Sequence, residues 1–215
     1  IENLKPDSKY SNRFKKQQAV KGAKIPRLID LFKLVTEEKN KDVFLNLEIK
    51  STPIEAGLTP DPESMIALIL KDIKEYNLEN RVVITSYDWR ILYELKKQNS
   101  NVLRGFITLQ QGLSKTKKNI YEDSPWMGKK FSPDELFLLP DTIKNLEGHV
   151  WSVFYKDVTK QNVEIAHKHG LAVTVWTVNR EPDILRMIEY GVDGIITDYP
   201  KKIQEICKFK NISWF

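Results

Sequence analysis

The chain has little cysteine and no long apolar run, and each shortage excludes a class of protein. Cys207 is the only cysteine among 215 residues, so no disulfide can form within the chain. No segment approaches the ~20 consecutive apolar residues that a membrane-spanning helix needs. The sequence therefore excludes a disulfide-stapled scaffold and predicts no stable insertion in a membrane.

The excess of one sign of charge over the other is also small. The 34 basic and 29 acidic residues leave a formal net charge of +5. Lysine pairs such as Lys15-Lys16 and Lys201-Lys202 are spread along the chain, and no motif that reads nucleic acid accompanies them. The sequence therefore predicts no nucleic-acid partner, whereas a mildly basic protein favours small anionic ligands through its electric field.

Strands and helices alternate along most of the chain without hairpin signals. Six apolar segments predict strands, at Phe44–Lys50, Val82–Ser86, Val102–Thr108, Val150–Phe154, Ala172–Val178 and Val192–Asp198. This alternation predicts a parallel sheet with helical crossovers. We expect an α/β fold, a (β/α)8 TIM barrel of which six βα units lie in this chain, since a closed barrel needs eight. An open doubly wound sheet is the alternative, but it has no glycine-rich nucleotide loop to support it.

Two stretches fall outside this alternation. Residues 1–24 are polar and predict the tail of an insertion or loop subdomain, which leaves residues 25–215 as the barrel portion. Residues 109–140 are too long for an ordinary connection and predict a functional loop or lid. Within the barrel portion, the expected helix caps are Asp88, Thr159 and Asn179, and the expected helix ends are Gly170 and Gly191.

The first predicted strand ends in charge, which makes it the first candidate for a functional site. Side chains alternate across a strand, so Glu48 and Lys50 share one face, opposite Leu47 and Ile49. A strand this apolar is expected to be buried on both faces, as parallel strands are. Buried charges are costly unless they are paired or bind something, and the carboxyl ends of barrel strands carry active sites. Glu48 and Lys50 therefore either bind a ligand or pair with each other as structural polar groups.

Several segments together resemble the glycerophosphodiester phosphodiesterase family. Leu47-Glu48-Ile49-Lys50 resembles the family's metal and phosphate strand, and Ile84–Trp89 is similar to its next strand. Val175–Asn179, followed by Gly191–Pro200, resembles the family's strongest signature. Each piece is weak alone, but their order and spacing are specific, and the resemblance covers most of the chain from about residue 8 onward.

The resemblance implies a metal-dependent hydrolase that converts a glycerophosphodiester, a small-molecule substrate, to glycerol 3-phosphate and an alcohol. It implies a divalent cation, Ca²⁺ or Mg²⁺, with Glu48 as one oxygen ligand. Lys50 would be catalytic and substrate-binding, because it would neutralise a phosphate oxygen. Trp176, for which core packing is the alternative, and Phe154 would line the pocket for the glycerol moiety or the leaving alcohol. Asp198 would cap the last helix or contact a residue that itself binds the ligand.

The family motifs that carry proton transfer are missing from the chain. No His-Arg-Gly strand, Glu-x-Asp strand or His-Asp pair occurs, and the three histidines are predicted to be surface or structural residues. The chain is therefore interpreted as the carboxyl-terminal portion of such an enzyme. Two alternatives stay open. One is an inactive relative that binds a phosphorylated ligand, and the other is a different phosphate-handling barrel enzyme, aldolase-like or isomerase-like, for which a strand-end lysine suggests Schiff-base chemistry. Ser124-Pro125-Trp126 and residues 10–20 resemble the exported branch of the family, which favours a periplasmic or secreted protein.

Overall fold

Six parallel strands form one sheet in the computed structural model, which describes residue 22 and residues 24–55, 57–98, 101–111 and 118–213. Neighbours in the sheet are also neighbours in the sequence. The strands are β1 Leu45–Ile49, β2 Val82–Ser86, β3 Leu103–Thr108, β4 Val150–Phe154, β5 Ala172–Trp176 and β6 Gly194–Ile195. Parallel strands paired in chain order, with helical crossovers between them, form part of a (β/α)8 barrel. The predicted fold and its six βα units are confirmed.

The helices begin and end mostly where the sequence predicts. They are α1 Leu28–Val35, α2 Pro62–Glu75, α3 Trp89–Gln98, α4 Pro133–Phe137, α5 Leu139–Asn145, α6 Lys160–Lys168, α7 Glu181–Tyr190 and α8 Pro200–Phe209. Thr159 caps α6, because its side chain accepts the Asn162 backbone N–H. Gly170 and Gly191 follow α6 and α7 with φ angles of 72° and 77°, the left-handed conformation that ends a helix. In the described parts of the chain, no helix is long and apolar enough to cross a membrane.

The chain divides into two units, residues 1–43 and 44–215. In the first unit, Arg27 and Asp30 form a reciprocal capping arrangement at the start of α1, in which the Arg27 N–H donates to the Asp30 carboxylate over 3.1 Å. The second unit contains all six strands. The predicted subdomain tail over residues 1–24 falls almost wholly outside the described residues, so its boundary stays a prediction.

The core of the second unit lies on the face of the sheet that packs against helices. Ile84, Phe106, Val153 and Val175 belong to this face and are at most 1% exposed. α3 contacts both β2 and β3 there, and its first residue, Trp89, is fully buried. Burial of apolar area on this face is the main stabilising term of the unit and holds the strand ends in place.

The long segment between β3 and β4 packs onto the carboxyl ends of β2 and β3. Asn119 is fully buried, and its amide group donates to the carbonyl oxygens of Tyr87 and Ile107 over 3.0 and 2.7 Å. Its amide oxygen accepts the Leu109 N–H over 2.8 Å. The described part of this segment also forms a 3-10 turn at Pro125–Met127. It therefore covers the strand ends, where the sequence predicts a functional loop.

A buried arginine, Arg104, lies at the opposite, amino-terminal end of β3 and β4. His149 Nδ1 accepts the backbone N–H of Arg104 over 3.2 Å, and the Arg104 guanidinium donates to the Glu147 carbonyl over 2.7 Å. Burial, together with the positive charges of Arg104 and Lys144, lowers the pKa of His149. At neutral pH His149 is therefore uncharged, and its Nδ1 holds Arg104 in place as a hydrogen-bond acceptor.

The free energy of unfolding should consequently fall as the pH drops below about 6.5, the ordinary pKa of histidine. Below that value the unfolded chain binds a proton at His149 that the folded state does not bind. The stabilisation is complete above this pH, and its loss ends once the pH passes below the lowered folded-state pKa. We expect denaturant midpoints measured about one unit either side of pH 6.5 to differ less in His149→Gln than in the unaltered protein. Equal differences in the two proteins would contradict this assignment.

Candidate functional site

Glu48 and Lys50 lie at the carboxyl end of β1, where they contact each other. Lys50 Nζ is 2.5 Å from Glu48 Oε1, and the two side chains are 78% and 40% exposed. The prediction that this face of β1 is buried is therefore wrong. The reason is that β1 pairs with β2 alone among the described strands, so it lies at the edge of the sheet. An exposed pair contributes at most about 1 kcal/mol, so both groups can exchange this contact for a ligand.

Side chains near the end of β2 reach across to β1 at three successive points. The Thr85 hydroxyl donates to the Asn46 amide oxygen over 2.7 Å, and the Ser86 hydroxyl donates to the Ile49 carbonyl over 2.8 Å. Beyond the strand, the Ser51 hydroxyl donates to the Asp88 carboxylate over 2.7 Å. The backbone that carries Glu48 and Lys50 is therefore held by side chains as well as by the strand ladder.

Asp88 is the charged centre of this arrangement. Its side chain is fully buried, and Arg90 donates to both carboxylate oxygens, from Nε over 2.9 Å and from Nη2 over 2.7 Å. This contact raises the pKa of the Arg90 guanidinium. The Arg90 backbone N–H also donates to Asp88 over 3.2 Å, so the predicted capping of α3 by Asp88 is confirmed.

Phe154 and Trp176, the predicted pocket residues, lie next to each other at the ends of β4 and β5. They are register partners, and their ring centroids are 5.4 Å apart. Trp176 Nε1 donates to the Ser152 carbonyl over 3.0 Å, which fixes the indole. Both rings are only partly buried. The strand registers place them on the same face of the sheet as Glu48, with β2 and β3 between the two groups.

Asn179 joins the ends of β5 and β6 instead of capping a helix. Its amide oxygen accepts the Thr197 hydroxyl and the Asp198 N–H, each over 3.0 Å, and its amide group donates to the Asp198 carboxylate over 2.8 Å. The helix that follows begins two residues later, with Arg180 at the cap position. The predicted cap at Asn179 is therefore wrong, because its side chain finds better partners across the sheet. Asp198 likewise precedes the cap position of α8, which Tyr199 occupies.

A second polar group at the strand ends was not predicted from the sequence. Tyr87 contacts Trp126 edge-on with ring centroids 5.1 Å apart, and burial raises the pKa of the Tyr87 hydroxyl. Asp157 accepts the backbone N–H groups of Gln110 and Gln111, with a shortest distance of 2.7 Å, and burial raises its pKa. Tyr87 directly follows β2 and Asp157 follows β4, so polar residues just after a predicted strand were the available signal.

The described residues do not by themselves fit a divalent cation. They contain no group of three or more histidine, cysteine, aspartate or glutamate side chains that could hold a metal. Glu48 can supply one carboxylate, but a hard cation takes six or more oxygen ligands in total. The three histidines lie elsewhere: His149 precedes β4, His167 contacts Asp193 and His169 contacts Asp141.

A family model, a curated relative and a solved structure are similar to this chain over most of its length. Residues 1–202 match the model of the Glycerophosphoryl diester phosphodiesterase family. A glycerophosphodiester phosphodiesterase of Caldanaerobacter subterraneus subsp. tengcongensis is 32% identical over 203 residues, which are 94% of this chain and 68% of that protein. A Silicibacter pomeroyi DSS-3 crystal structure that carries the family's name is 32% identical, with a TM-score of 0.79 over 99% of this chain and 66% of that chain.

A more distant structure shows the same fold. It is a glycerophosphodiester phosphodiesterase from Parabacteroides distasonis ATCC 8503, 21% identical, with a TM-score of 0.64 over 94% of this chain and 71% of that chain. The chain spans about two thirds of the length of the first relatives it matches, 68% of the Caldanaerobacter protein and 66% of the Silicibacter structure.

Proposed function

The chain belongs to the glycerophosphoryl diester phosphodiesterase family, and from this premise we propose that the protein hydrolyses glycerophosphodiesters. Water adds to phosphorus and the bond from phosphorus to the alcohol oxygen breaks. The products are glycerol 3-phosphate and a free alcohol. The observation that carries the proposal is the Glu-Ile-Lys end of β1, which presents a cation and a carboxylate together at the face where barrel enzymes bind substrate.

Lys50 has the chemistry to bind the phosphodiester. Its ammonium group is a compact point charge on a flexible stem, and here it is largely exposed. As substrate binds, Lys50 would leave Glu48 for a phosphoryl oxygen and stabilise the charge that develops there. Its exposure in the absence of substrate lets this exchange occur at little cost.

Phe154 and Trp176 offer an apolar wall on the same face. Their partly exposed rings can pack against the carbon atoms of glycerol or of the leaving alcohol, while the hydrogen bond from Trp176 to Ser152 keeps the indole in place. This arrangement supports a substrate with a charged phosphate at one end and an apolar surface beside it.

The metal requirement is a separate part of the proposal. We propose that Ca²⁺ or Mg²⁺ is needed and that Glu48 supplies one oxygen ligand. The remaining ligands would have to come from outside the described residues, because these hold no metal-binding cluster. Bound there, a divalent cation would supply electrostatic stabilisation of the phosphoryl oxygens.

An inactive relative that binds a phosphorylated ligand is the second candidate. It is favoured by one observation: the histidines of the described residues lie away from the strand-end face, so none is placed there as a general acid or base. Such a protein would bind a phosphate ester through Lys50 without cleaving it.

One assay separates the two candidates. The protein at its full natural length should release glycerol 3-phosphate from glycerophosphocholine when Ca²⁺ or Mg²⁺ is present, and a chelator should abolish the release reversibly. Calorimetric binding of glycerol 3-phosphate without any turnover would favour the inactive relative. Absence of both turnover and binding would contradict both candidates, and turnover that is unchanged by the chelator would contradict only the metal requirement.

A further inference from the structure

We propose that Ser51 and Asp88 are positioning residues, which fix the end of β1 so that Lys50 faces the substrate phosphate. The inference rests on the proposed function. It concerns two residues behind the candidate site rather than in it, because neither side chain lies on the face that Glu48 and Lys50 share.

The need for such residues follows from the place of β1 in the sheet. Among the described strands β1 has only β2 as a partner, and the ladder ends at the pair Ile49 and Ser86. Lys50 is the first residue beyond this pair. Without a further contact its backbone would be free to fray, as strand ends at sheet edges are.

The contact between Ser51 and Asp88 supplies the missing constraint. Ser51 is the residue after Lys50, and its hydroxyl donates to Asp88 Oδ2 over 2.7 Å. A hydrogen bond to a carboxylate is shorter and stronger than one between neutral groups. Lys50 is thereby held between the last ladder pair on one side and this bond on the other.

Asp88 is itself buried and held by several hydrogen bonds, which makes it a suitable anchor. Its side chain is fully buried, Arg90 holds both of its oxygens, and its backbone N–H donates to the Ser86 hydroxyl over 3.1 Å. The same Ser86 hydroxyl donates to the Ile49 carbonyl. One connected network therefore reaches from α3 through Asp88 to both residues that flank Lys50.

The test compares Ser51→Ala with Ser51→Thr, Lys50→Ala and the double variant Ser51→Ala/Lys50→Ala in the protein at its full natural length. Ser51→Ala should lower kcat for glycerophosphocholine about tenfold, with a smaller change in KM, because loss of position costs more in the transition state than in the bound ground state. Ser51→Thr keeps the hydroxyl and should restore most of the rate. In the double variant, loss of Ser51 should add almost nothing to the loss of Lys50.

A matched control separates positioning from plain destabilisation. Ser132→Ala likewise removes a serine hydroxyl that forms a side-chain hydrogen bond, in this case by accepting the Glu135 backbone N–H at the start of α4. It should lower the thermal midpoint without lowering kcat. If Ser51→Ala behaves like Ser132→Ala, or if its effect multiplies with that of Lys50→Ala, the positioning role is overturned.

Failure of the proposed function would be seen separately. If the unaltered protein cleaves no glycerophosphodiester, the same variants are compared for calorimetric binding of inorganic phosphate. A loss of affinity in Ser51→Ala that Ser51→Thr restores would keep the positioning role for a binding protein, and unchanged affinity in Ser51→Ala would overturn it.

Discussion

Replacement of Lys50 by alanine is expected to lower kcat/KM for a glycerophosphodiester by about a hundredfold to a thousandfold, the usual effect of removing one group that stabilises developing charge. Lys50 presents its ammonium at the carboxyl end of β1, where it is 78% exposed and its charged partner among the described residues is the Glu48 carboxylate, 2.5 Å away. Loss of this cation leaves the phosphoryl charge without a partner on β1. The rate is measured as glycerol 3-phosphate released per unit of folded protein.

The first unit of the chain contains a closely matched control. Glu37 and Lys39 repeat the Glu-x-Lys spacing, with Lys39 Nζ 2.9 Å from Glu37 Oε2. The Lys39 side chain is 74% exposed and the Glu37 side chain is 49% exposed. Lys39→Ala removes the same charge from the same kind of exposed pair, so it should leave kcat/KM unchanged. Equal turnover in Lys39→Ala and Lys50→Ala would show that Lys50 has no role beyond its surface charge.

A lysine-to-arginine change tests the kind of contact. The guanidinium of Lys50→Arg retains the charge but is planar and larger, so it should recover only part of the rate if Lys50 acts as a compact point charge. A lysine that forms a Schiff base would not be replaced by arginine at all. Borohydride trapping of a covalent adduct between Lys50 and a phosphorylated aldehyde or ketone would then support the alternative of a Schiff-base barrel enzyme.

The sequence predicts the fold well because its signals are local. Strand-helix alternation, the cap at Thr159 and the glycines after α6 and α7 each depend on a few neighbouring residues, and the structure confirms them. The match to the family over residues 1–202 likewise confirms a resemblance that rests on short motifs in a fixed order. The predicted roles of Glu48, Lys50, Phe154 and Trp176, the metal and the export of the protein stay predictions.

The failures of sequence-based prediction are non-local in origin. Burial of Glu48 and Lys50 was inferred from the apolar residues around them, but burial depends on a neighbouring strand, and β1 has one on a single side among the described strands. Asn179 has the composition of a helix cap, yet its partners Thr197 and Asp198 come from the next strand end. The bond from Ser51 to Asp88 joins residues 37 positions apart, a pairing that no local pattern reveals.

Replacement of Trp89 by alanine is expected to lower the free energy of unfolding by about 3–5 kcal/mol, as for other fully buried tryptophans. Trp89 is the first residue of α3, is 0% exposed and contacts the rings of Phe106 and Phe131 with centroid distances of 5.0 and 5.8 Å. It therefore joins α3, β3 and the long segment before β4 in one packed cluster. Its loss leaves a cavity at the point where these three elements meet, directly beside Asp88.

The loss should come from the ring and not from its hydrogen bond. Trp89 Nε1 donates to the Ile107 carbonyl over 3.2 Å, but Asn119 donates to the same oxygen over 2.7 Å, so removal of the indole N–H leaves no unsatisfied acceptor. Trp89→Phe retains most of the ring and should cost only about 1 kcal/mol for the smaller side chain. Denaturant unfolding with unchanged m-values measures both losses.

Trp126 is a less buried tryptophan with which the stability loss of Trp89→Ala can be compared. Its ring is only partly buried and packs edge-on against Tyr87, so Trp126→Ala should cost well under half as much as Trp89→Ala. Equal losses of stability in the two alanine variants would contradict the larger contribution assigned to the buried ring of Trp89. Because Asp88 immediately precedes Trp89, Trp89→Ala should also weaken the contact between Asp88 and Ser51 and lower kcat in the fraction that remains folded. Trp89→Phe, which keeps the start of α3 in place, should retain kcat.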